Sequence, residues 1–340
     1  MKKSPATLKS ISATLGMAPS TVSRVLNGKA KEYRISEPTA KKVKEEADRV
    51  GFSPNQIASS LRLQKTNTMG LVIPDISNNY FATIARALEN EARKAGYSII
   101  LCDSQGQTEL ERDAIRLLRG RNIDGLIVAP VGNDAEHLSA FKESGTPIVL
   151  VDRYFKEVSI PSVSSDNFQG AYDAVSYMIK HGHTKIGFIQ GISEATVNSD
   201  RLNGYTKALE DNSIEVQTSY IRGDAFTVES GYQATKQLLE DHADVTAFFA
   251  MSNLITLGAM DAIKEKGLEI NRDISLISFD DELYFSHLST PLTAVAQNRT
   301  EIGEKAMEIL IKLIKDEQVE TAETHLPTKL IVRESVRDIK

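Results

Sequence analysis

Polar side chains directly follow three short apolar runs of the chain. Asp152 follows PIVLV, Ser252 and Asn253 follow AFFAM, and Asp280 and Asp281 follow SLISF. Carboxylates and amides form paired hydrogen bonds with sugar hydroxyls, arginines donate to sugar oxygens, and aromatic rings cover the apolar face of a sugar. If the runs are strands that end at the same edge, these polar groups line one cleft. The pattern therefore predicts a site for a small carbohydrate.

The stretch MAPSTVSRVLNG contains one arginine among small hydroxyl side chains. In a helix that begins near Pro19, a stripe of valines and Leu26 leaves Ser20 and Arg24 on the opposite face, because successive residues are about 100° apart. Gly16 ends a short preceding helix, so a tight turn joins the two. An arginine beside small side chains can approach a guanine in the major groove and donate two hydrogen bonds. The pattern predicts a helix-turn-helix, although an ordinary helical hairpin also fits these residues.

The charge of the chain is distributed unevenly. Residues 1–66 hold nine lysines and four arginines against five acidic residues, a net charge of +8, whereas the whole chain has −6. A basic end favours a polyanionic partner, although a solvated helix face can also be basic. No apolar run follows the basic start of the chain, and the single cysteine, Cys102, fits a reducing compartment, so we expect a cytoplasmic location.

The common motifs of catalysis are absent from the sequence. No glycine-rich GxGxxG motif follows a strand, and there is no phosphate-binding GxxxxGK[ST], no HExxH and no GxSxG. His181 and His183 are too close for a usual zinc pair and fall in a turn between a helix and a strand. We therefore predict no catalytic residue, no metal and no cofactor.

The elements that position these residues follow two different patterns. Thr7 caps a first helix, Ser36 caps a third helix with Pro38 in its first turn, and Gly51 ends it, which gives a small all-α head. From Met69 onward, apolar runs alternate with helical stretches; the runs are MGLVIP, SIILCD, DGLIVAP, PIVLVD, KIGFIQG, TAFFAM and SLISFDD. This alternation predicts an α/β core of two lobes with parallel sheets, with a ligand between the carboxyl ends of the strands.

Three motifs resemble those of the lactose and galactose repressor (LacI/GalR) family. STVSRVLNG is similar to its recognition helix, FSPNQIASSLR to its hinge helix, and TNTMGLVIPDISNNYF to the start of its sugar-binding core. The resemblance implies a DNA-binding repressor in which Leu61 enters the minor groove and kinks the operator, although Leu61 could also be a core residue. The side chains expected to contact DNA are Pro19, Ser20, Thr21, Ser23, Arg24, Asn27, Ser36, Asn55, Ala58, Leu61 and Arg62.

The resemblance also implies which residues contact the ligand. They are Asn78, Tyr80, Phe81, Asp152, Arg201, Phe226, Ser252, Asp280 and Gln297. A salt bridge that closes the cleft is the alternative for Asp152, Arg201 and Asp280. A role in the core or in a dimer interface is the alternative for the two aromatic residues near position 80, and the segment around Phe226 is one residue longer than usual.

Two features depart from the family pattern. Ala18 replaces the usual serine that caps the recognition helix. The loop at residues 28–34 is some three residues longer, and its Tyr33 and Arg34 either contact the DNA backbone or only cover the surface.

These observations predict residues 1–52 as the helix-turn-helix domain, 53–68 as a hinge helix and linker, and 69–340 as the core. The amino-terminal lobe takes about 69–164 and 296–326, and the carboxy-terminal lobe takes about 165–295 and 327–340. No leucine heptads follow the core, so we expect a homodimer on a near-palindromic operator.

The identity of the effector stays open at this point. A sugar or sugar phosphate, a nucleobase corepressor and a phosphocarrier protein are all compatible with such a regulator. Two functions of other classes are a sugar receptor without DNA binding and an NAD-dependent enzyme on a doubly wound sheet. The basic head argues against the first, and the missing glycine motif argues against the second.

Overall fold

The computed structural model describes residues 7–52, 65–132, 134–319 and 323–340. Their contacts divide the chain into two units, with the boundary between Thr66 and Asn67. Within the described residues, no helix is both long and apolar enough to cross a bilayer.

The smaller unit consists of three helices packed around one core. They are α1 (Leu8–Leu15), α2 (Pro19–Leu26) and α3 (Glu37–Val50). Thr7 caps α1 as predicted, since its hydroxyl accepts from the backbone N–H of Ser10 at 3.1 Å, and Gly16 ends the helix at a φ of 62°. The core consists of Ile11, Val22, Val25, Val43 and Ala47.

The predicted cap of α3 is wrong in one respect. Ser36 has the extended backbone of a capping residue, but its side chain bonds the hydroxyl of Thr39 at 2.8 Å and caps no backbone N–H. Pro38 explains the missing cap. Proline has no backbone N–H, and position 38 is one of the two positions whose N–H usually donates to a capping side chain. Ala18 begins α2 without a side-chain cap, as its methyl group requires.

The larger unit contains two six-stranded sheets within the described residues. The first lobe has the strand order β11-β5-β4-β3-β1-β2, formed by β1 (Thr68–Ile73), β2 (Ser98–Asp103), β3 (Gly125–Val128), β4 (Ile148–Val151), β5 (Ser162–Ser165) and β11 (Glu323–Leu326). The second lobe has the order β12-β10-β9-β8-β6-β7, formed by β6 (Ile186–Ile189), β7 (Ile221–Arg222), β8 (Ala247–Ala250), β9 (Ser275–Phe279), β10 (Thr293–Ala296) and β12 (Lys329–Ile331). All strand pairs are parallel except β10 with β12. The predicted two-lobed α/β core is confirmed.

Helices cover both faces of each sheet. They are α4 (Asn79–Lys94), α5 (Thr108–Gly120), α6 (Glu136–Glu143), α7 (Asn167–Lys180), α8 (Thr196–Asp211), α9 (Val228–Asp241), α10 (Asn253–Glu265) and α11 (Arg299–Ile314). Strands β3, β4, β6 and β8 are buried along their whole length, which explains their continuous apolar sequences. Short one-turn helices at Thr218–Tyr220 and Leu283–His287 complete the second lobe.

The chain passes between the lobes three times. It leaves the first sheet after β5, returns after β10 to place α11 on the first lobe, and crosses again between β11 and β12. These crossings bring strand ends from distant parts of the chain to one cleft between the lobes.

Helices α9 and α10 pack unusually closely in the second lobe. A methyl group on Gly258 would lie 2.0 Å from the carbonyl oxygen of Val228, and one on Gly231 would lie 2.4 Å from that of Ile255. Only glycine allows the two backbones to approach in this way.

Candidate functional site

One cleft between the lobes is lined by all nine side chains that the sequence predicted as ligand contacts. The cleft is narrow in this structure, with a cavity volume of about 50 Å³. The full lining is Asn78, Tyr80, Phe81, Asp152, Arg153, Val197, Arg201, Phe226, Ser252, Asn253, Asp280 and Gln297. Arg153 and Val197 were not predicted from the sequence. Asn253 was expected at the cleft from its position after a strand and does line it, whereas Asp281, expected there on the same ground, pairs with Arg333 at 2.7 Å.

Two aspartates reach this cleft from the ends of buried strands. Asp152 directly follows β4 and Asp280 directly follows β9, and both are buried. Their φ angles of 67° and 82° lie in the left-handed region, which aspartate tolerates better than most other residues. The turn after each strand therefore directs a carboxylate into the cleft.

A row of hydrogen bonds joins the two carboxylates. The Tyr80 hydroxyl donates to Asp152 Oδ1 at 2.7 Å and lies 3.3 Å from Gln297 Oε1. The Gln297 amide in turn donates to Asp280 Oδ1 at 2.5 Å. Because Tyr80 lies in the first turn of α4 in the first lobe and Asp280 belongs to the second lobe, this row spans the cleft.

Burial changes the proton affinity of these groups. It raises the pKa of Asp152, and it raises the pKa of Tyr80 well above the usual value, with a further contribution from the charge of Asp152. The phenol consequently stays protonated and remains a hydrogen-bond donor to the carboxylate.

Arg201 is held by neutral groups rather than by the carboxylates. Its Nε donates to Asn167 Oδ1 at 2.8 Å, its Nη1 donates to the carbonyl oxygen of Met251 at 2.5 Å, and its guanidinium lies 3.6 Å from the centre of the Phe279 ring. Within the described part of the chain it forms no ion pair with either cleft aspartate. The alternative of a salt bridge that closes the cleft is therefore not seen in this structure.

Arg153 is the main residue that the sequence prediction missed. Its guanidinium lies 4.9 Å from the centre of the Phe226 ring, and its Nε is buried without a hydrogen-bond partner. Its remaining protein contacts are long, at 3.5 Å from Nη1 to the carbonyl oxygen of Pro130 and 3.7 Å from Nε to Asp152 Oδ2, an ion-pair distance too long for a hydrogen bond. The position directly after a strand-end aspartate was the signal that could have identified it.

A second set of polar contacts, which we call the Glu282 cluster, joins the lobes beside the cleft. Glu282 is 3% exposed, accepts from Asn79 at 2.7 Å and from Asn253 at 3.2 Å, and pairs with Arg299 at 2.9 Å. Asn253 also donates to Asn78 at 2.9 Å. Asn78, Asn79 and Arg299 belong to the first lobe, so these bonds hold the lobes together around a buried charge pair.

The predicted recognition helix has an exposed polar face. Pro19, Ser20, Arg24 and Asn27 are exposed, as is Ser36, while Thr21 and Ser23 are half-buried. Of the predicted DNA contacts, Asn55, Ala58, Leu61 and Arg62 lie outside the described residues.

The two histidines near position 182 bond to protein groups. His183 is fully buried and bonds the hydroxyls of Thr246 and Ser275 and the carbonyl oxygen of Arg337, while His181 bonds the carbonyl oxygen of Tyr177. Among the described residues, no three His, Cys, Asp or Glu side chains group closely enough to hold a metal ion.

The family model for periplasmic binding proteins and the sugar-binding domain of the LacI family matches residues 66–334. This chain belongs to the LacI family. The resemblance predicted from its motifs is thereby confirmed.

Relatives of the same family match nearly the whole chain. Catabolite control protein A of Priestia megaterium is 33% identical, over 97% of this chain and 99% of the relative. The lac repressor dimer bound to operator and the anti-inducer ONPF has a TM-score of 0.87 at 25% identity, over 98% of this chain and 100% of the other. The complex of the regulator CelR with cellobiose has a TM-score of 0.74 at 28% identity, over 97% and 99%. The similarity of this LacI-family chain thus extends over both units.

Proposed function

We propose that this chain is a transcriptional repressor whose affinity for DNA is controlled by a small carbohydrate bound in the cleft. The cleft carries the proposal, because the nine ligand contacts predicted from the sequence meet in it beside the Arg153 Nε, which is buried without a hydrogen-bond partner. In this proposal residues 1–52 bind DNA, 53–68 form the hinge, and 69–340 bind the ligand and form the dimer.

The charge of the cleft favours a neutral sugar over a sugar phosphate. Asp152 and Asp280 balance Arg153 and Arg201, so the four charged side chains that line the cleft add to zero. An anion would add uncompensated charge to a buried site, whereas hydroxyl groups can donate to the carboxylates and accept from the arginines. The cellobiose bound by the related CelR is a neutral sugar of this kind.

The aromatic residues support the same choice. Phe81 and Phe226 line the cleft together with Val197, and they provide apolar surface beside the polar groups. A sugar ring has polar edges and an apolar face, so it satisfies both kinds of surface at once.

Features of the smaller unit support DNA binding. Its sequence has a net charge of +8 up to residue 66, and Arg24 stands exposed on α2. The related lac repressor binds its operator as a dimer, and we propose the same assembly for this chain on a near-palindromic site.

The test combines a ligand screen with a DNA-binding assay on the full chain. Pentoses, hexoses and disaccharides, their phosphates, and nucleobases are screened by thermal shift, and each hit is measured by calorimetry. A DNA site is obtained by selection from a random double-stranded library. We expect a neutral sugar to bind and to change the affinity for the selected DNA.

Two cleft variants and one surface variant sharpen this test. Arg201→Ala and Asp280→Ala should remove the response to the sugar and keep DNA binding, while Glu269→Ala, which changes an exposed ion pair, should keep both. Unchanged sugar affinity in both cleft variants would contradict the proposed site. Binding of a nucleobase or of a sugar phosphate alone would contradict the proposed ligand class.

A further inference from the structure

The long loop after α2 folds into a defined turn. The N–H of Tyr33 donates to the carbonyl oxygen of Lys29 at 3.2 Å, and the N–H of Ile35 donates to that of Ala30 at 2.8 Å. Arg34 ends the turn with a φ of 52°. Because Ile35 packs against the core of the smaller unit, the turn fixes where the ring of Tyr33 lies.

That ring lies against the arginine of the recognition helix. The Arg24 guanidinium is 3.9 Å from the centre of the Tyr33 ring, and Tyr33 is 43% exposed. The Arg24 side chain forms no hydrogen bond or ion pair with any residue that the structure describes, so this contact alone orients it. A ring at this distance covers part of the guanidinium, and no described residue accepts a hydrogen bond from its N–H groups.

We propose that Tyr33 is a positioning residue for base recognition, which holds Arg24 so that its free edge can donate to a guanine. An unrestrained arginine loses rotamer freedom when it binds, whereas a stacked arginine has lost part of that freedom already. The longer loop then contributes to sequence discrimination without itself contacting a base. This inference rests on the proposed DNA-binding function.

A contact from the Tyr33 hydroxyl to a phosphate is the competing role, and substitutions can separate the two. Tyr33→Phe keeps the ring and removes the hydroxyl. Tyr33→Leu keeps an apolar side chain of moderate size and removes the π face. Since the residue is partly exposed and lies outside the buried core, these variants should fold, which circular dichroism checks.

The experiment uses the full chain and double-stranded DNA selected from a random library. Affinity is measured for the selected sequence and for versions with single guanines replaced. We expect Tyr33→Leu to reduce the preference for one guanine about two- to fivefold, in keeping with an exposed cation–π contact, and Tyr33→Phe to retain that preference. In an Arg24→Ala background, Tyr33→Leu should have no further effect.

Three results would overturn the inference. One is an equal loss of guanine preference in Tyr33→Phe and Tyr33→Leu. Another is an effect of Tyr33→Leu in the Arg24→Ala background that is as large as its effect in the wild type. The third is unchanged discrimination in Tyr33→Leu while the wild type selects a sequence. If the wild type selects no sequence at all, the proposed DNA-binding function fails as well, which distinguishes the two failures.

Discussion

Asp152 and Asp280 occupy equivalent positions in the two lobes. Each follows the third strand in the order of its sheet, and the N–H of each donates at 3.0 Å to a valine carbonyl of the neighbouring strand, Val163 in one lobe and Val295 in the other. Both residues have a positive φ. Each lobe thus contributes one carboxylate to the shared cleft through the same local geometry, so a ligand that bonds both carboxylates would link the two lobes.

Asp152→Asn should stabilise the fold at neutral pH and weaken sugar binding. Burial raises the pKa of Asp152, so between its ordinary value and its value in the protein the folded state binds more protons than the unfolded state. Stability contributed by this group therefore falls as pH rises through that window. The amide avoids the buried charge and still accepts from Tyr80. The melting temperature of the variant should exceed that of the wild type at pH 7, and the difference should shrink as pH falls toward about 4.

Asp273→Asn is the control, because the pKa of Asp273 is shifted in the opposite direction to that of Asp152. A hydrogen bond from Arg272 lowers the pKa of Asp273, so its charged form is favoured in the folded protein. This variant should not gain stability at pH 7. If Asp152→Asn melts no higher than the wild type at pH 7, burial of the charged carboxylate does not destabilise the folded protein.

Glu282→Ala should destabilise the core by about 3–5 kcal/mol, because it leaves Arg299 buried without its charge partner. The effect is measured by denaturant unfolding of the purified variant. Circular dichroism follows the transition, because the chain has no tryptophan. Glu269→Ala removes one of the two carboxylate partners of the exposed Arg272 and should shift the midpoint little. Equal midpoints for the two variants would show that the Glu282 cluster does not hold the lobes together.

Gly258→Ala should disrupt the contact between α9 and α10. The added methyl group would meet the carbonyl oxygen of Val228, and only a shift of a helix can relieve that contact. We expect a loss of about 1–3 kcal/mol or more. Gly120→Ala, at a helical glycine with no atom near the new methyl group, should instead gain about 0.4–1 kcal/mol. The comparison uses thermal melts, and a tolerated alanine at position 258 would contradict the close packing.

Arg153→Met should weaken binding of the sugar identified by screening about ten- to hundredfold, the range expected when hydrogen bonds to a charged donor worth about 1.5–3 kcal/mol are lost. Methionine retains packing on Phe226 but cannot satisfy an acceptor. Lys207→Met changes an exposed lysine paired with Asp211 and serves as the control. Calorimetry that shows wild-type affinity for Arg153→Met would place the unpartnered Nε outside the ligand contacts.

Arg24→Ala should weaken binding to the selected DNA by about 1–3 kcal/mol and keep the fold of the head, since the side chain is exposed. The informative quantity is the ratio of affinities for selected and random DNA at one salt concentration. A wild-type ratio in the variant would mean that Arg24 reads no base.

The sequence predicted the seven strands that contain the longest apolar runs and, within the described residues, missed five that are shorter or more polar. All seven predicted runs form strands, but β5 has the sequence SVSS and β11 has ETHL. Strand β5 is buried even so, and its Ser164 bonds His325 of β11 at 2.9 Å. A side-chain bond between residues so far apart in sequence leaves no periodic pattern, so this pairing could not be predicted locally.

The candidate site was more predictable than the details around it. Strand-end carboxylates and the family motifs pointed to the cleft, because the carboxyl ends of parallel strands meet at one edge. Arg153 was not predicted as a ligand contact, because an arginine next to an aspartate is common on protein surfaces. Only the fold shows that its Nε is buried. The Glu282 cluster was not predicted either. Its members are distributed over more than 200 residues of sequence and meet only through the crossings between the lobes.

The third crossing of the chain has a consequence for synthesis. Strand β11 is the edge strand of the first sheet, yet it follows nearly the whole second lobe in sequence. During synthesis, β5 therefore has no β11 to pair with on its outer side until residue 326 has left the ribosome. An exposed strand edge can pair with another chain during that interval. Three of the four residues of β5 are serines, so this edge offers little apolar surface to another chain.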